Sequence, residues 1–237
     1  MEDRMKKFKQ GAQELGVELS QDQLHQFLKY YEMLVEKNKV MNLTAITEFD
    51  EVMEKHFLVS IALCQVVDLY THKRVIDLGT GAGFPGIPLK IAFPELEVTL
   101  VDSLNKRILF LQEVIQELGL KNVSATHERA EIIANNPDFR EVFDLCVSRA
   151  VANLSTLSEY CIPFVKVGGQ FISYKSGECD EEVKTAENAI SILGGSLREV
   201  SKFTLGESGR AFVIIDKVKQ TKKKYPRKAG TPSKEPL

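Results

Sequence analysis

The chain has 237 residues, 43% of them hydrophobic and 27% charged, and a formal net charge of −2. This is enough apolar material for one α/β domain with a modest extension, and no apolar run approaches the roughly 20 residues that span a bilayer. The start, Met1-Glu2-Asp3-Arg4-Met5-Lys6-Lys7, lacks the apolar stretch of a signal peptide, and Cys64, Cys146, Cys161 and Cys179 are far apart with no histidines grouped nearby. The expectation is a cytoplasmic protein with reduced, mostly buried thiols, no disulfide frame, no metal site and no membrane partner.

Residues 1–70 read as a helical extension. Ser20 followed by Gln23 fits a capping box, and Leu24, Phe27, Leu28, Tyr31, Leu34 and Val35 recur at helical spacing. That aromatic stripe is most simply core packing. Asn42 to Thr47 breaks the period and reads as a loop, and the apolar stretch Phe57 to Leu69 resembles a docked helix.

From residue 71 to 218 strands and helices alternate. Strands are expected at Arg74–Leu78, Glu97–Asp102, Val123–Thr126, Phe143–Ser148 and Gln170–Tyr174. The clearest helix between them is Leu104–Leu118, with Leu104, Ile108, Leu111, Ile115 and Leu118 on one face. Such alternation predicts right-handed crossovers and a parallel sheet. Two further strand-like runs, Leu197–Leu205 and Arg210–Val218, flank Gly206-Glu207-Ser208-Gly209 and predict an antiparallel edge hairpin.

The first strand ends in Asp77-Leu78-Gly79-Thr80-Gly81-Ala82-Gly83-Phe84-Pro85-Gly86. Acid-x-Gly-x-Gly-x-Gly at a strand tip matches the cofactor loop of S-adenosylmethionine-dependent methyltransferases. Its glycines permit sharp turns and close approach of a ligand, and the acid can accept a hydrogen bond from a cation such as the methionine ammonium. The same segment spells G-x-G-x-x-G, with Asp102 as a possible ribose ligand, so a nicotinamide-dependent oxidoreductase stays open, as does a non-catalytic nucleotide-binding regulator. Pro85 favours the methyltransferase, since it suits a helix start but removes an N–H that a pyrophosphate would use. In an open α/β sheet the ligand lies beyond the carboxyl ends of the strands. That rule gathers Asp77 to Phe84 (Gly79, Gly81 and Gly83 included), Asp102 with Ser103, His127 to Glu131, and Ser148 to Ala150.

Residues 219–237 form a basic tail. From Lys217 onward seven Lys and one Arg face one Glu, a surplus of seven positive charges that leaves about −9 on the first 216 residues. Such a tail suits either a polyanion or simple solvation. A methyltransferase of small molecules or proteins would have no use for it.

The glycine loop, Ser148-Arg149-Ala150, Asn42-Leu43-Thr44, Glu54-Lys55-His56-Phe57 and the tail Tyr225-Pro226-Arg227-Lys228-Ala229-Gly230-Thr231-Pro232 together resemble the ribosomal RNA small-subunit methyltransferase G family, once called glucose-inhibited division protein B. The resemblance covers essentially the whole chain. It implies a class I methyltransferase fold: a Rossmann-like, mostly parallel seven-stranded sheet with an antiparallel C-terminal hairpin. It also implies transfer of a methyl group from S-adenosyl-L-methionine to N7 of a guanine in the 530 loop of 16S ribosomal RNA, on the RNA or a small-subunit particle. No obligate protein partner is evident. Carried onto this sequence, the resemblance puts Gly79 and Phe84 at the cofactor, Ala130 and Glu131 near its adenine, and Arg149 at the edge of the site.

Methyl transfer from a sulfonium is an in-line displacement that mainly requires alignment. The Asn/Asp-Pro-Pro-Tyr loop of exocyclic-amine methylation is replaced here by Ser148-Arg149-Ala150, and Cys146 lies mid-strand, where core packing suits it better than nucleophilic attack. Guanine N7 carries a free lone pair and needs no general base. Arg149 is the first candidate to hold the guanine O6 and Lys175 the second, though Arg149 could equally clamp a phosphate or carboxylate. For RNA contact the candidates are His56, Lys222, Lys223, Lys224, Arg227 and Lys228, with His56 as readily structural.

Overall fold

The computed structural model describes residues 2–71, 73–149, 152–206 and 208–237, with side chains from Met5 onward. Ala150, from the motif after the fourth strand, and Glu207, from the expected hairpin turn, lie outside the described residues, as does His72.

The N-terminal extension begins with α1 (Glu2–Glu14) and α2 (Gln21–Met41). The capping box is present: Ser20 accepts from the Gln23 backbone N–H at 3.2 Å, and the Gln23 side chain accepts from Ser20 N–H at 2.8 Å. The inward face of α2 carries Leu24, Phe27, Tyr30 and Leu34, so the face is rotated from the expected stripe, with Tyr30 buried and Tyr31 only half-buried. Asn42 ends the helix in the left-handed conformation at φ 50°. The next helix starts earlier than expected: α3 (Phe49–Val52) runs into a π-helical turn at Met53–Leu58 and then α4 (Val59–Ile61). The extra residue per turn rotates Lys55 to Phe57, a local feature that no simple period reveals.

Seven strands form one sheet: β1 (Arg74–Leu78), β2 (Glu97–Asp102), β3 (Val123–His127), β4 (Phe143–Arg149), β5 (Val165–Ser176), β6 (Gly195–Leu205) and β7 (Ser208–Lys217). Their order is β3-β2-β1-β4-β5-β7-β6, parallel from β3 to β5 and antiparallel at β7 and β6. The order steps from β1 to β2 on one side and to β4 on the other, so a crevice opens at the tips of β1, β2 and β4. All five expected parallel strands and both strands of the hairpin are present. β5 is the largest departure, starting at Val165 instead of Gln170: Val165 pairs with Phe143, and the register shifts before Gln170 pairs with Leu145.

Alternate residues feed two cores. Val75, Val98 and Leu145 pack with the N-terminal extension, α5 (Gly86–Ala92) and α6 (Asn105–Glu117), whereas Ile76, Val101 and Cys146 pack with α8 (Leu154–Cys161) and α9 (Asp180–Leu193). On α6 the inward residues are Ile108, Phe110, Leu111 and Val114, and Leu104 at its start is exposed. Cys146, Cys161 and Cys179 are buried thiols, and Cys146 is core as expected.

The tail does not behave as a solvated arm. Thr221, Tyr225 and Pro232 are buried, and residues 219–237 run back over α8 to end in the short helix α10 (Thr231–Lys234).

Candidate functional site

The strand-tip crevice holds a cleft of about 370 Å³, floored by Gly79 to Ala82 and walled by His56, Phe84, Asp102, Ser103 and Arg149. A smaller hollow of about 170 Å³ continues it past Gly79, Asp102 and Ser103 to Ala130, Glu131 and Tyr160. On the other side of His56 and Arg149 lies a third opening of about 420 Å³, bordered by Tyr174, Lys175, Phe203 and Arg210.

The glycine loop owes its shape to residues beneath it. Gly79 and Gly81 have φ of 70° and 62°, and a side chain at Gly81 would point into open space. Asp77 is fully buried: its Oδ2 accepts from Thr80 Oγ1 at 2.6 Å and from Gly86 N–H at 2.8 Å. Burial pushes its carboxyl up to about 6, against those two hydrogen bonds, and Oδ1 has no partner. Asp77 thus clamps the loop from behind, which corrects the expectation that it faces a ligand. Gly83 is corrected likewise. A Cβ there would come within 2.6 Å of Tyr30 Oη and 2.8 Å of Ile87, so this glycine serves close packing and not the cleft.

Tyr30 is the residue that sequence reading missed. Its hydroxyl donates to Ala82 O at 2.5 Å, its ring stacks on Phe57 with centroids 5.3 Å apart, and the N-terminal extension thereby holds the loop from the far side. The signal was a second tyrosine beside Tyr31, at a position that the chosen period skipped.

Asp102 stands at the tip of β2, where it accepts from Gly81 N–H and Leu104 N–H, each at 2.9 Å. Arg107, also unforeseen, reaches it at 3.2 Å. One carboxylate therefore ties the glycine loop to the start of α6.

Arg149 ends β4. Its guanidinium lies over the Phe84 ring at 4.9 Å, and Nη2 donates to His56 Nδ1 at 3.1 Å. Because arginine only donates, Nδ1 accepts, and the imidazole proton sits on Nε2, which donates to Thr44 Oγ1 at 2.8 Å. His56 stacks on Phe84 with centroids 4.5 Å apart. Burial and the Arg149 charge hold its pKa at about 3, so the ring is neutral. Arg149 itself is half-buried, and the desolvation lowers its pKa, with Tyr174, Asp77 and Tyr30 opposing the fall.

Other expected contacts are already engaged. Lys175 Nζ donates to Glu182 Oε1 at 2.7 Å and to Ala152 O at 3.1 Å, so it ties β5 to the start of α9 instead of offering a free cation. Arg227 grips the buried carboxylate of Glu159 with Nε and Nη2 at 2.7 to 3.1 Å, which removes it from the set available to RNA. Lys222, Lys223, Lys224 and Lys228 are exposed. Glu131 is nearly buried, and its Oε1 accepts from Gly230 N–H at 3.0 Å. Among the described residues no cluster of His, Cys, Asp or Glu could hold a metal, and no helix is long and apolar enough to cross a membrane.

A seven-stranded sheet with this order, a glycine loop after β1 and an acid at the tip of β2 defines a class I S-adenosylmethionine-dependent methyltransferase. Among solved structures, TrmN from Thermus thermophilus is similar in fold, with a TM-score of 0.54 at 18% identity over 68% of this chain and 48% of that one. The family described as rRNA small subunit methyltransferase G matches residues 23–213, and the chain belongs to that family. The ribosomal RNA small subunit methyltransferase G of Lachnoclostridium phytofermentans is 55% identical over 97% of this chain and 96% of its own length. That of Staphylococcus epidermidis is 54% identical over 94% of each. Membership closes the nicotinamide and regulator alternatives.

Proposed function

We propose that this protein transfers the methyl group of S-adenosylmethionine to N7 of a guanine in the 530 loop of 16S ribosomal RNA, without a general base. The observation that carries the reading is the open side of Gly81 beside the clamped Asp102, a cradle that a Cβ would fill. Gly79, Gly81, Asp102 and Ser103 would hold the donor at the strand tips, Phe84 would flank it, and Ala130 and Glu131 would wall its adenine. When bound, the donor supplies a methyl group already activated on a positively charged sulfur.

The chain's own part is alignment and electrostatics. Arg149 is pinned by His56 and Phe84 between the donor cleft and the opening near Tyr174, and it keeps donors free for guanine O6 or a phosphate. Neutral His56 positions that guanidinium and adds no second charge beside a sulfonium. Tyr174, buried with its hydroxyl on Ser60 O at 2.8 Å, backs the acceptor side. Unstacked RNA would be needed, because N7 in an A-form helix lies in a groove closed to side chains. The exposed lysines of the tail would add salt-dependent affinity.

The test is nucleoside analysis of 16S RNA after incubation with the protein and labelled S-adenosylmethionine, using unmodified RNA and particles as separate substrates. Label in 7-methylguanosine from the 530 loop is the expected result. Label elsewhere would overturn the target assignment. Gly79→Val should abolish binding of S-adenosylhomocysteine in a folded protein, since a side chain at φ 70° is strained and crowds the cleft.

A further inference from the structure

The C-terminal segment touches the far wall of the cleft at three places. Gly230 N–H donates to Glu131 Oε1 at 3.0 Å, and the Tyr160 and Ser233 hydroxyls are 2.8 Å apart. Arg140 bridges Ala134 O at 3.1 Å to Tyr225 O at 3.0 Å, so the end of α7 (Ala130–Ile133) is fastened as well. Glu131 and Tyr160 are two of the side chains that border the smaller hollow beyond Asp102. Both therefore owe their positions to residues about 70 to 100 places later in the chain.

The anchor of the segment is Arg227. Its side chain reaches both oxygens of Glu159, its own N–H donates to Glu159 Oε1 at 2.7 Å, and Nη2 also donates to Glu235 O at 2.7 Å. The Glu159 side chain is 1% exposed, so freeing Arg227 would leave a buried charge unpaired. Thr156 Oγ1 to Pro232 O at 2.9 Å and Ser155 Oγ to Leu237 O at 2.7 Å continue the attachment to the last residue. A segment serving only as an RNA arm needs none of these bonds.

We infer that residues 225–237 are a strap that sets the adenosine end of the cofactor site, with Arg227, Gly230 and Ser233 as positioning residues acting through Glu159, Glu131 and Tyr160. The inference rests on the assignment of this cleft to S-adenosylmethionine. The strap and the charge of the tail are thereby separate devices: Arg227 faces inward, and the lysines beside it face solvent.

Calorimetry on the full chain tests this with two probes, S-adenosylhomocysteine and 5′-methylthioadenosine, which share the adenosine half and differ in the amino-acid half. Arg227→Gln should weaken both by the same factor, about tenfold, and Ser233→Ala both by about threefold. Lys184→Gln, an equal loss of charge at an exposed position on α9, should weaken neither. A folded Arg227→Gln protein that binds both probes like wild type, or that loses only S-adenosylhomocysteine, would overturn the strap. If Arg227→Gln does not fold, Ser233→Ala decides by the same criterion. Wild-type protein that binds neither probe would instead defeat the cofactor assignment itself, and the strap with it.

Discussion

Two segments outside the sheet reach the same cleft from opposite ends, and they are held by different physics. The N-terminal helices dock mainly by apolar burial, with Gln23 and Gln26 adding hydrogen bonds to the ends of α5 and α6. Phe8, Phe27, Tyr30 and Phe57 form one aromatic cluster with centroids 4.9 to 6.1 Å apart, and a single hydroxyl passes on to the glycine loop. The C-terminal segment docks by polar bonds centred on one buried ion pair. Apolar docking tolerates loss of one polar contact but not loss of volume. Polar docking fails when a single charged partner is removed, because the other stays buried.

The sharpest way to break this contrast is at Tyr30. Tyr30→Ala should cost about 3–5 kcal/mol of stability, as large aromatic truncations in a core do, and release the glycine loop. Tyr30→Phe keeps the volume and should cost only about 1 kcal/mol, with a fewfold loss of S-adenosylhomocysteine affinity; denaturant titration and calorimetry separate the two variants. Equal losses in both would mean that the hydroxyl and not the ring does the docking.

Arg149→Lys should slow single-turnover methylation about 100-fold, some 2.7 kcal/mol of barrier, while melting within a few degrees of wild type. A fully active variant would show that planar donation is not required. Replacing Lys222, Lys223, Lys224 and Lys228 together by Gln should weaken RNA binding about tenfold and flatten its salt slope by up to about 3, with cofactor affinity unchanged. An unchanged slope would leave the tail as strap alone.

The smallest effect concerns pH. The Asp77 carboxyl has its pKa raised to about 6, so ionisation opposes folding. Its stabilising contribution is complete below the ordinary carboxylate value near 4 and is lost as pH rises through about 6. Asp77→Asn keeps two acceptor bonds without the charge, and should melt a few degrees above wild type at pH 7 but not at pH 4. His56, at about 3, and Asp77 both lie below neutrality, so the wild-type rate should stay flat between about pH 7 and 8.5.

How much of this was legible follows from the same contrast. Strand periodicity and the glycine spacing placed β1, β2 and the loop correctly, because those patterns reflect local backbone needs. The capping box at Ser20 was legible for the same reason. Tyr30 was not, since a π-helical turn and the rotation of α2 decide which tyrosine faces inward. Asp77 and Gly83 carried the right motif but serve the loop from beneath, and motif spacing cannot tell the two faces of a turn apart. Composition left the tail open between a polyanion partner and simple solvation, and neither reading fastens it to the domain. Its attachment depends on Glu159 and Glu131, two acids 68 and 99 residues away from their partners.

That last separation also sets a schedule. Ribosomes extend a chain at roughly 5–20 residues per second, and domains tend to fold as they emerge. Glu131 is made 99 residues before Gly230, a wait of about 5–20 s at that rate. The sheet can assemble in the interval, but the Gly230–Glu131 and Ser233–Tyr160 contacts form only once those later residues have been made. The far wall of the cleft is thus completed later than the sheet that carries it.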